Sequence, residues 1–196
     1  MPSSRTPKRK SAHERLLEAA AVLFYNDGIA GTGIDAIVER AGVAKKSLYN
    51  NFSSKADLVN QYIEARHAEW LDLYQARLRT AATPEEKILA VFDAYQDHAE
   101  DAYERGFRGC GLLNAAAELT AGDAGRQAVR IHKEEVEAIL LSELQALLPN
   151  DKARALHLAR HLSFLLEGSI ARAGLEGGSS LLLDARSMAS GILETL

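Results

Sequence analysis

Apolar residues along the chain recur at spacings of three and four, with no sustained alternation of two, so the pattern predicts an all-α fold. The first stripe is Leu16, Leu17, Ala20 and Phe24. Ser11 and Glu14 precede it at capping-box spacing, and Gly28 ends it. A second, short stripe (Ile34, Ile37, Val38, Ala41) follows Thr32 and Gly33, either of which can cap it, and stops at Gly42. A third short helix carries Leu48 and Phe52 at i and i+4. Ser54 and Asp57 then open a longer helix with Leu58, Tyr62 and Ala65.

Beyond residue 60 the predicted elements lengthen. Thr83, Pro84 and Glu86 place an N-cap, an N1 proline and a capping-box glutamate before Ile88, Phe92, Tyr95 and Ala99. The glycine-rich RGFRGCG (105–111) breaks the pattern, and the short helix LLNAAAEL ends at TAGD. Asp123 caps a long helix with Val129, His132, Val136, Ile139, Leu140 and Leu147. PND (149–151) separates it from a helix over roughly 152–173. The loop GLEGGSS (174–180) precedes a last helix over 181–195. The layout is three short helices, one connecting helix and about five longer ones.

Charge and composition sharpen this division. Residues 1–60 hold nine Lys/Arg against six Asp/Glu, whereas the rest of the 196-residue, net −4 chain is acidic. An acidic whole with a basic first part can still present a positive face to a polyanion. We therefore expect a basic flexible arm over 1–10, a small helical domain over 11–60 and a larger helical body over 61–196. With 47% hydrophobic residues the chain can bury a substantial core. No apolar run is long enough for a transmembrane span, and the basic N-terminus is not followed by a signal-type apolar segment, so no membrane partner and a cytoplasmic location are expected. A lone Cys110 excludes an internal disulfide and a CxxC metal site.

The two short helices around Gly42 form a helix-turn-helix candidate. Gly42 suits the tight turn, Ala41 the close crossing, and Val43, Leu48 and Phe52 the core. Ala44, Lys45, Lys46, Tyr49 and Asn50 are left facing outward on the second helix. In this motif the N-terminal part of that helix meets base edges in the major groove. Lysine donates to guanine or phosphate, and tyrosine hydroxyls to phosphate. The arm residues Arg5, Lys8, Arg9 and Lys10 can reach a minor groove; a tail without contacts is the alternative.

The stretch AAAVLFYNDGIAGTGIDAIVERAGVAKKSLYNNFSSKADLV resembles the DNA-binding domain of TetR-family transcriptional regulators. Ala20, Phe24, Gly28, Thr32, Ile34, Ile37, Ala41, Gly42, Val43, Leu48, Tyr49, Phe52, Lys55 and Leu58 carry the resemblance. It is continuous over about residues 13–60. The segment GCGLLNAAAEL (109–119) also resembles part of the ligand-binding domain of several members. The resemblance implies phosphate contacts from Thr32, Tyr49 and Lys55, with positions 44–46 and 50 facing or flanking the bases. Ala44 departs from the family, which often has Ser or Thr as N-cap there. Lys46 adds a long cation where many members have a small residue.

The resemblance also implies a body that binds an inducer and dimerises. Leu158, Leu162, Leu165, Ser169 and Ala173 share one helical face, and Leu182, Ala185, Met188 and Ile192 another, so two helices per subunit can form a four-helix interface; intramolecular core is the other reading. Candidates for an inducer cavity on inward stripes are Tyr62, Trp70, Phe92, Tyr95, His98, Phe107, Asn114, Glu118, His132, His161 and Phe164. Asn114 and Glu118, at i and i+4, are expected to point into it together. Few cations fall on inward stripes, which favours a largely apolar inducer with one or two polar handles over an anionic one. His157 and His161 are spaced as a metal pair but lack a third ligand, so neither metal nor cofactor is expected. Cys110 lies between glycines in a loop where its thiol can be exposed; packing and a sensing role are both open.

These readings predict a ligand-responsive, homodimeric DNA-binding regulator, a repressor released from a palindromic operator by a small-molecule inducer. The alternative is a helical enzyme or carrier whose N-terminal helices only pack. The chain has no nucleophile–base pair, phosphate loop or metal cluster in its sequence to support an enzyme.

Overall fold

The computed structural model describes residues 10–101 and 103–196. Arg5, Lys8 and Arg9 of the basic arm lie outside the described residues. Among those described there are nine helices and no strand. They are α1 (Ala12–Asp27), α2 (Ile34–Ala41), α3 (Lys45–Asn51), α4 (Lys55–Leu78), α5 (Pro84–Ala99), α6 (Gly111–Glu118), α7 (Ala124–Leu147), α8 (Lys152–Glu176) and α9 (Ser180–Leu193). The chain divides into two compact units, one ending at Tyr62 and one over Ile63–Leu196.

In the N-terminal unit the short helices pack on one another around Leu16, Ala20, Phe24, Ile37, Leu48, Phe52 and Leu58. α1 starts where its capping box closes: Ser11 Oγ accepts from Glu14 N, and the Glu14 carboxylate accepts from Ser11 N at 2.7 Å. α2 ends at Gly42, whose φ of 61° is left-handed. Its N–H donates back to Glu39, and Val43 N–H donates to Val38 O, which closes the turn before α3. Arg15 of α1 donates to Gly42 O at 3.0 Å and pins that turn to the first helix. Tyr62 meets Phe24 edge-on at 5.5 Å, so it belongs to the core of this unit and not to a pocket in the body.

The second unit packs α7 against α5, α6 and α8, and α9 against α5 and α8. Thr83 and Glu86 close a capping box around Pro84, as their spacing predicts. Ion pairs link elements at the periphery, Arg77 with Asp97 and Arg186 with Asp93. α8 differs from expectation at its end. It runs through Gly174 to Glu176, and Gly177, with φ 75°, is the residue that stops it. Gly174 is used for contact: a Cβ there would stand 2.5 Å from the backbone nitrogen of Gly109. The glycine lets the 105–110 loop lie directly on α8.

Two candidate sites: the outer face of the third helix and a buried polar cluster

α3 is held by one apolar side. Leu48 is fully buried, and Phe52, its C-terminal neighbour, stacks against His13 at 4.7 Å between ring centroids. The opposite side carries Lys45, Lys46, Tyr49 and Asn50, all exposed, with Tyr49 55% accessible. Ala44 is the N-cap and supplies no side-chain bond to the first turn. Its carbonyl accepts from Ser47 N at 2.8 Å, but the first amides of α3 lack the oxygen that Ser or Thr would provide. The two lysines are not equivalent. Lys45 is paired with Asp35 of α2 at 2.7 Å, and this hydrogen bond holds its ammonium above its ordinary range. Lys46 makes no such pair among the described residues.

Two residues expected to contact phosphate each make an inward hydrogen bond. Thr32 is buried, and its hydroxyl donates to Gly28 O at 2.6 Å. It thereby satisfies a carbonyl in the α1–α2 connection, so its side chain is committed to the fold. Lys55 is half-buried and donates to Ile29 O at 2.5 Å. One of its three donors is used there, and the others remain. Lys10, the arm residue that is described, pairs with Glu18 of α1 at 2.6 Å.

In the body, three helices and the 105–110 loop bring six of the sequence candidates into the interior. Trp70 stacks on Tyr74 at 5.6 Å and meets Tyr95 at 5.3 Å and the edge of His132 at 5.4 Å. His98 is contacted by Tyr103, whose hydroxyl donates to the His98 carbonyl, and Tyr103 in turn packs on Phe107 at 5.8 Å. Phe92 is fully buried. A cavity of about 20 Å³ lies among Trp70, Tyr95, His98 and His132, with Arg66 and the Cys110–Leu112 segment completing its wall. That volume is about one water molecule.

Burial sets the protonation of this cluster. It pushes His98 down to about 4 and His132 to about 3, with the nearby cations Arg66 and Lys133 adding to the effect, so both imidazoles are neutral at pH 7. His132 Nδ1 is hydrogen-bonded to His67 Nδ1, and His67 Nε2 lies 2.9 Å from Glu135. Burial raises the Tyr95 phenol well above its usual range and Tyr74 to about 12.

Several expectations for the body are corrected. Asn114 and Glu118 do not face the cavity. The buried face of α6 is Leu112, Ala115 and Ala116, Asn114 donates to Arg108 O at 3.2 Å, and Glu118 is exposed. His161 and Phe164 lie on the outer side of α8, Phe164 66% accessible. His157 is also exposed, and no group of three metal-ligating side chains occurs among the described residues. Cys110 is buried as the N-cap of α6 and is not in an open loop. Leu162 and Leu182 are buried in packing within the unit, so they are not free to form a surface, and Ala185, also buried, lies at the floor of the groove between α8 and α9. Leu158, Leu165, Ser169 and Ile192 are half-exposed and Met188 is exposed. A groove of about 380 Å³ runs between α8 and α9, with Phe164, Leu165, Gly168, Leu181 and Met188 on its walls.

Cations also occur where few were expected. Lys133 Nζ donates to Glu167 at 2.8 Å and to Tyr95 Oη at 3.1 Å, lies 3.6 Å from Cys110 Sγ, and sits 5.2 Å from the centre of the Tyr95 ring. Burial would lower its pKa, but contact with Tyr95, Cys110 and Glu167 outweighs this and holds the ammonium charged. Arg66 and Lys133 were missed as site residues, and Cys110 was weighed for packing or sensing but not placed at this cluster. Lys133 is one position off the His132 stripe, and only the helices packed on both sides of α7 bring it inside.

Comparison with known proteins agrees with the two-unit layout. A sequence model of bacterial regulatory proteins of the tetR family matches residues 16–62. The HTH-type transcriptional repressor KstR2 of Mycolicibacterium smegmatis is 35% identical over 85 residues, 43% of this chain and 41% of that protein. The HTH-type transcriptional activator FasR of the same organism is 32% identical over 92 residues, 47% and 42% of the two chains. The matched region spans about two fifths of the length of these curated relatives. Among solved structures, SCO4454, a TetR-family regulator from Streptomyces coelicolor, aligns with a TM-score of 0.84 and 27% identity over 94% of this chain and 95% of that one. The sav143 tetr-transcriptional regulator from Streptomyces avermitilis aligns at 0.72 and 30% identity over 92% and 96%. All of these proteins are transcriptional regulators. With likeness extending through both units, the chain belongs to the TetR family of transcriptional regulators.

Proposed function

We propose that the chain is a ligand-responsive, homodimeric repressor that binds a palindromic DNA operator in the cytoplasm and releases it when a small molecule occupies the body. The observation that carries this reading is the outward face of α3, where Lys46, Tyr49 and Asn50 stand exposed above the fully buried Leu48. In a helix-turn-helix this face enters the major groove. Lys46 and Asn50 meet base edges or flank them, and Tyr49 donates to a phosphate. Lys45 is oriented by Asp35, and Lys55 has donors left for phosphate. Ala44 begins the same exposed face and contributes shape without a hydrogen bond.

The apolar groove between α8 and α9 supports a dimer through Phe164, Leu165 and Met188, and twofold symmetry suits two half-sites. The buried cluster around Trp70, Tyr95, His98 and His132 supports the inducer site. Release follows if the ligand binds more tightly to a state with low operator affinity. A mobility shift with the DNA upstream of the protein's own gene tests the reading. Saturable binding that competitor DNA of unrelated sequence does not remove is expected. Binding that is independent of sequence, or no binding, contradicts it.

A further inference from the structure

We propose that the buried cavity of the body is a carboxylate site, so that the effector is a small organic acid whose carboxylate meets Arg66, Trp70 and the start of α6. This deepens the reading of the body as a ligand-binding unit and rests on it. Three independent features of the cavity wall donate hydrogen bonds or positive charge. The indole N–H of Trp70 is buried without a partner, on a residue only 3% exposed. Arg66 Nε is likewise buried and unpartnered. The first residues of α6, Gly111 and Leu112, line the same space, and the helix begins at Cys110 with no side-chain cap. Its first amides and the positive end of its dipole therefore reach the cavity uncompensated.

No aspartate or glutamate lines the cavity; Arg66 Nη1 is paired with Glu69 at 2.8 Å, which leaves its Nε and the Trp70 indole N–H as the donors to be answered. Lys133 stands behind Tyr95 and Cys110, its ammonium paired with Glu167 at 2.8 Å. His98 and His132 are neutral and do not supply competing charge at pH 7. A buried donor left unmade is costly, and two of them on one small cavity call for an acceptor with two oxygens. A carboxylate supplies both, and charge-assisted bonds to a guanidinium are the stronger kind.

The rest of the acid has somewhere to go. Lys133 also forms part of the wall of an open groove of about 490 Å³ between α6 and α7, where Leu113, Ala116 and Val129 present apolar surface. The cavity of about 20 Å³ is too small for more than the head group. Binding must therefore widen it toward that groove, with Lys133 moving away from Glu167.

The protein reports on this site directly, because Trp70 is its single tryptophan. Butyrate and hexanoate should change the Trp70 fluorescence saturably, whereas butyramide, hexanamide and 1-butanol should bind about tenfold more weakly or less. Arg66→Gln and Lys133→Gln should each weaken the acids by a similar factor, with the circular dichroism spectrum confirming that the variant is folded. If Arg66→Gln does not fold, Lys133→Gln and the acid-to-amide ratio of the unaltered protein still decide. Equal binding of acid and amide overturns the proposal. So does the absence of binding by acids of two to eight carbons, the result expected if one ordered water fills the cavity. Acid binding without operator release leaves the carboxylate site standing and contradicts the regulator reading instead.

Discussion

The two units of the molecule place their polar chemistry on opposite sides of their cores. In the N-terminal unit, Lys46, Tyr49 and Asn50 stand in solvent, and the apolar anchors of the helix that carries them are Leu48 and Phe52. In the body, Arg66, Trp70, His98, His132 and Lys133 converge in the interior from α4, α5 and α7. A polar group in water needs no partner from the protein. A buried one must be satisfied to avoid a cost in stability. The first unit thus exposes its donors to solvent, and the second encloses two donors that have no partner among the described residues.

The contrast can be broken most severely from the core of the first unit. Phe52→Ala removes a ring that is 1% exposed and should cost about 3–5 kcal/mol. Operator binding should be lost while the fluorescence of Trp70, inside the body, stays native; a loss of both signals contradicts the division into two units. Next comes Gly174→Ala. Its Cβ would meet the backbone of Gly109 at 2.5 Å, and backbone cannot swing aside as a side chain can. A loss of about 1–3 kcal/mol is expected, read as a lowered midpoint in urea, because overpacking forces the 105–110 loop off α8.

Acid should act on the body through its histidines. The unfolded chain protonates His98 and His132 near pH 6.5, whereas the folded chain holds them at about 4 and 3. Protons therefore bind the unfolded state first, and the stability present above pH 6.5 is lost as pH falls through 5 toward 4 and 3. The slope is roughly 1.4 kcal/mol per pH unit for each histidine within that window. Urea titrations at pH 7, 6 and 5 should show a shallower decline for His132→Asn than for the unaltered protein. Equal slopes would mean that His132 is protonated in the folded state. The smallest effect is a gain. Ala44→Ser supplies the missing N-cap of α3 and should stabilise the N-terminal unit by about 0.5–1 kcal/mol. A thermal melt that does not rise would indicate that the serine hydroxyl bonds elsewhere.

How much of each unit can be read in the sequence follows from the same contrast. The capping pair Ser11 and Glu14, the turn at Gly42 and the anchors Leu48 and Phe52 are local, so spacing alone finds them. Thr32 escaped because its partner, Gly28 O, lies across a loop whose path no periodicity encodes. In the body the stripes located the helices, and Trp70, Tyr95, His98 and His132 were legible as inward residues. Lys133 and Arg66 were not, because a helix covered on several sides buries positions beside its apolar stripe. Gly174 has the look of a helix terminator, yet it is a contact point for Gly109, 65 positions away in the chain. Leu162 and Leu182 could serve an interface between copies or a core within one, and the packing of α8 on α9 decides for the core.

The central claim is that α3 meets DNA through Lys46 and Tyr49. Fluorescence anisotropy with labelled DNA from upstream of the gene, titrated at several salt concentrations, tests it most directly. Lys46→Ala with Tyr49→Phe should weaken binding by about tenfold or more and reduce the dependence of log affinity on log salt by about one to two contacts. Unchanged affinity and an unchanged salt slope in a folded double variant would contradict the account.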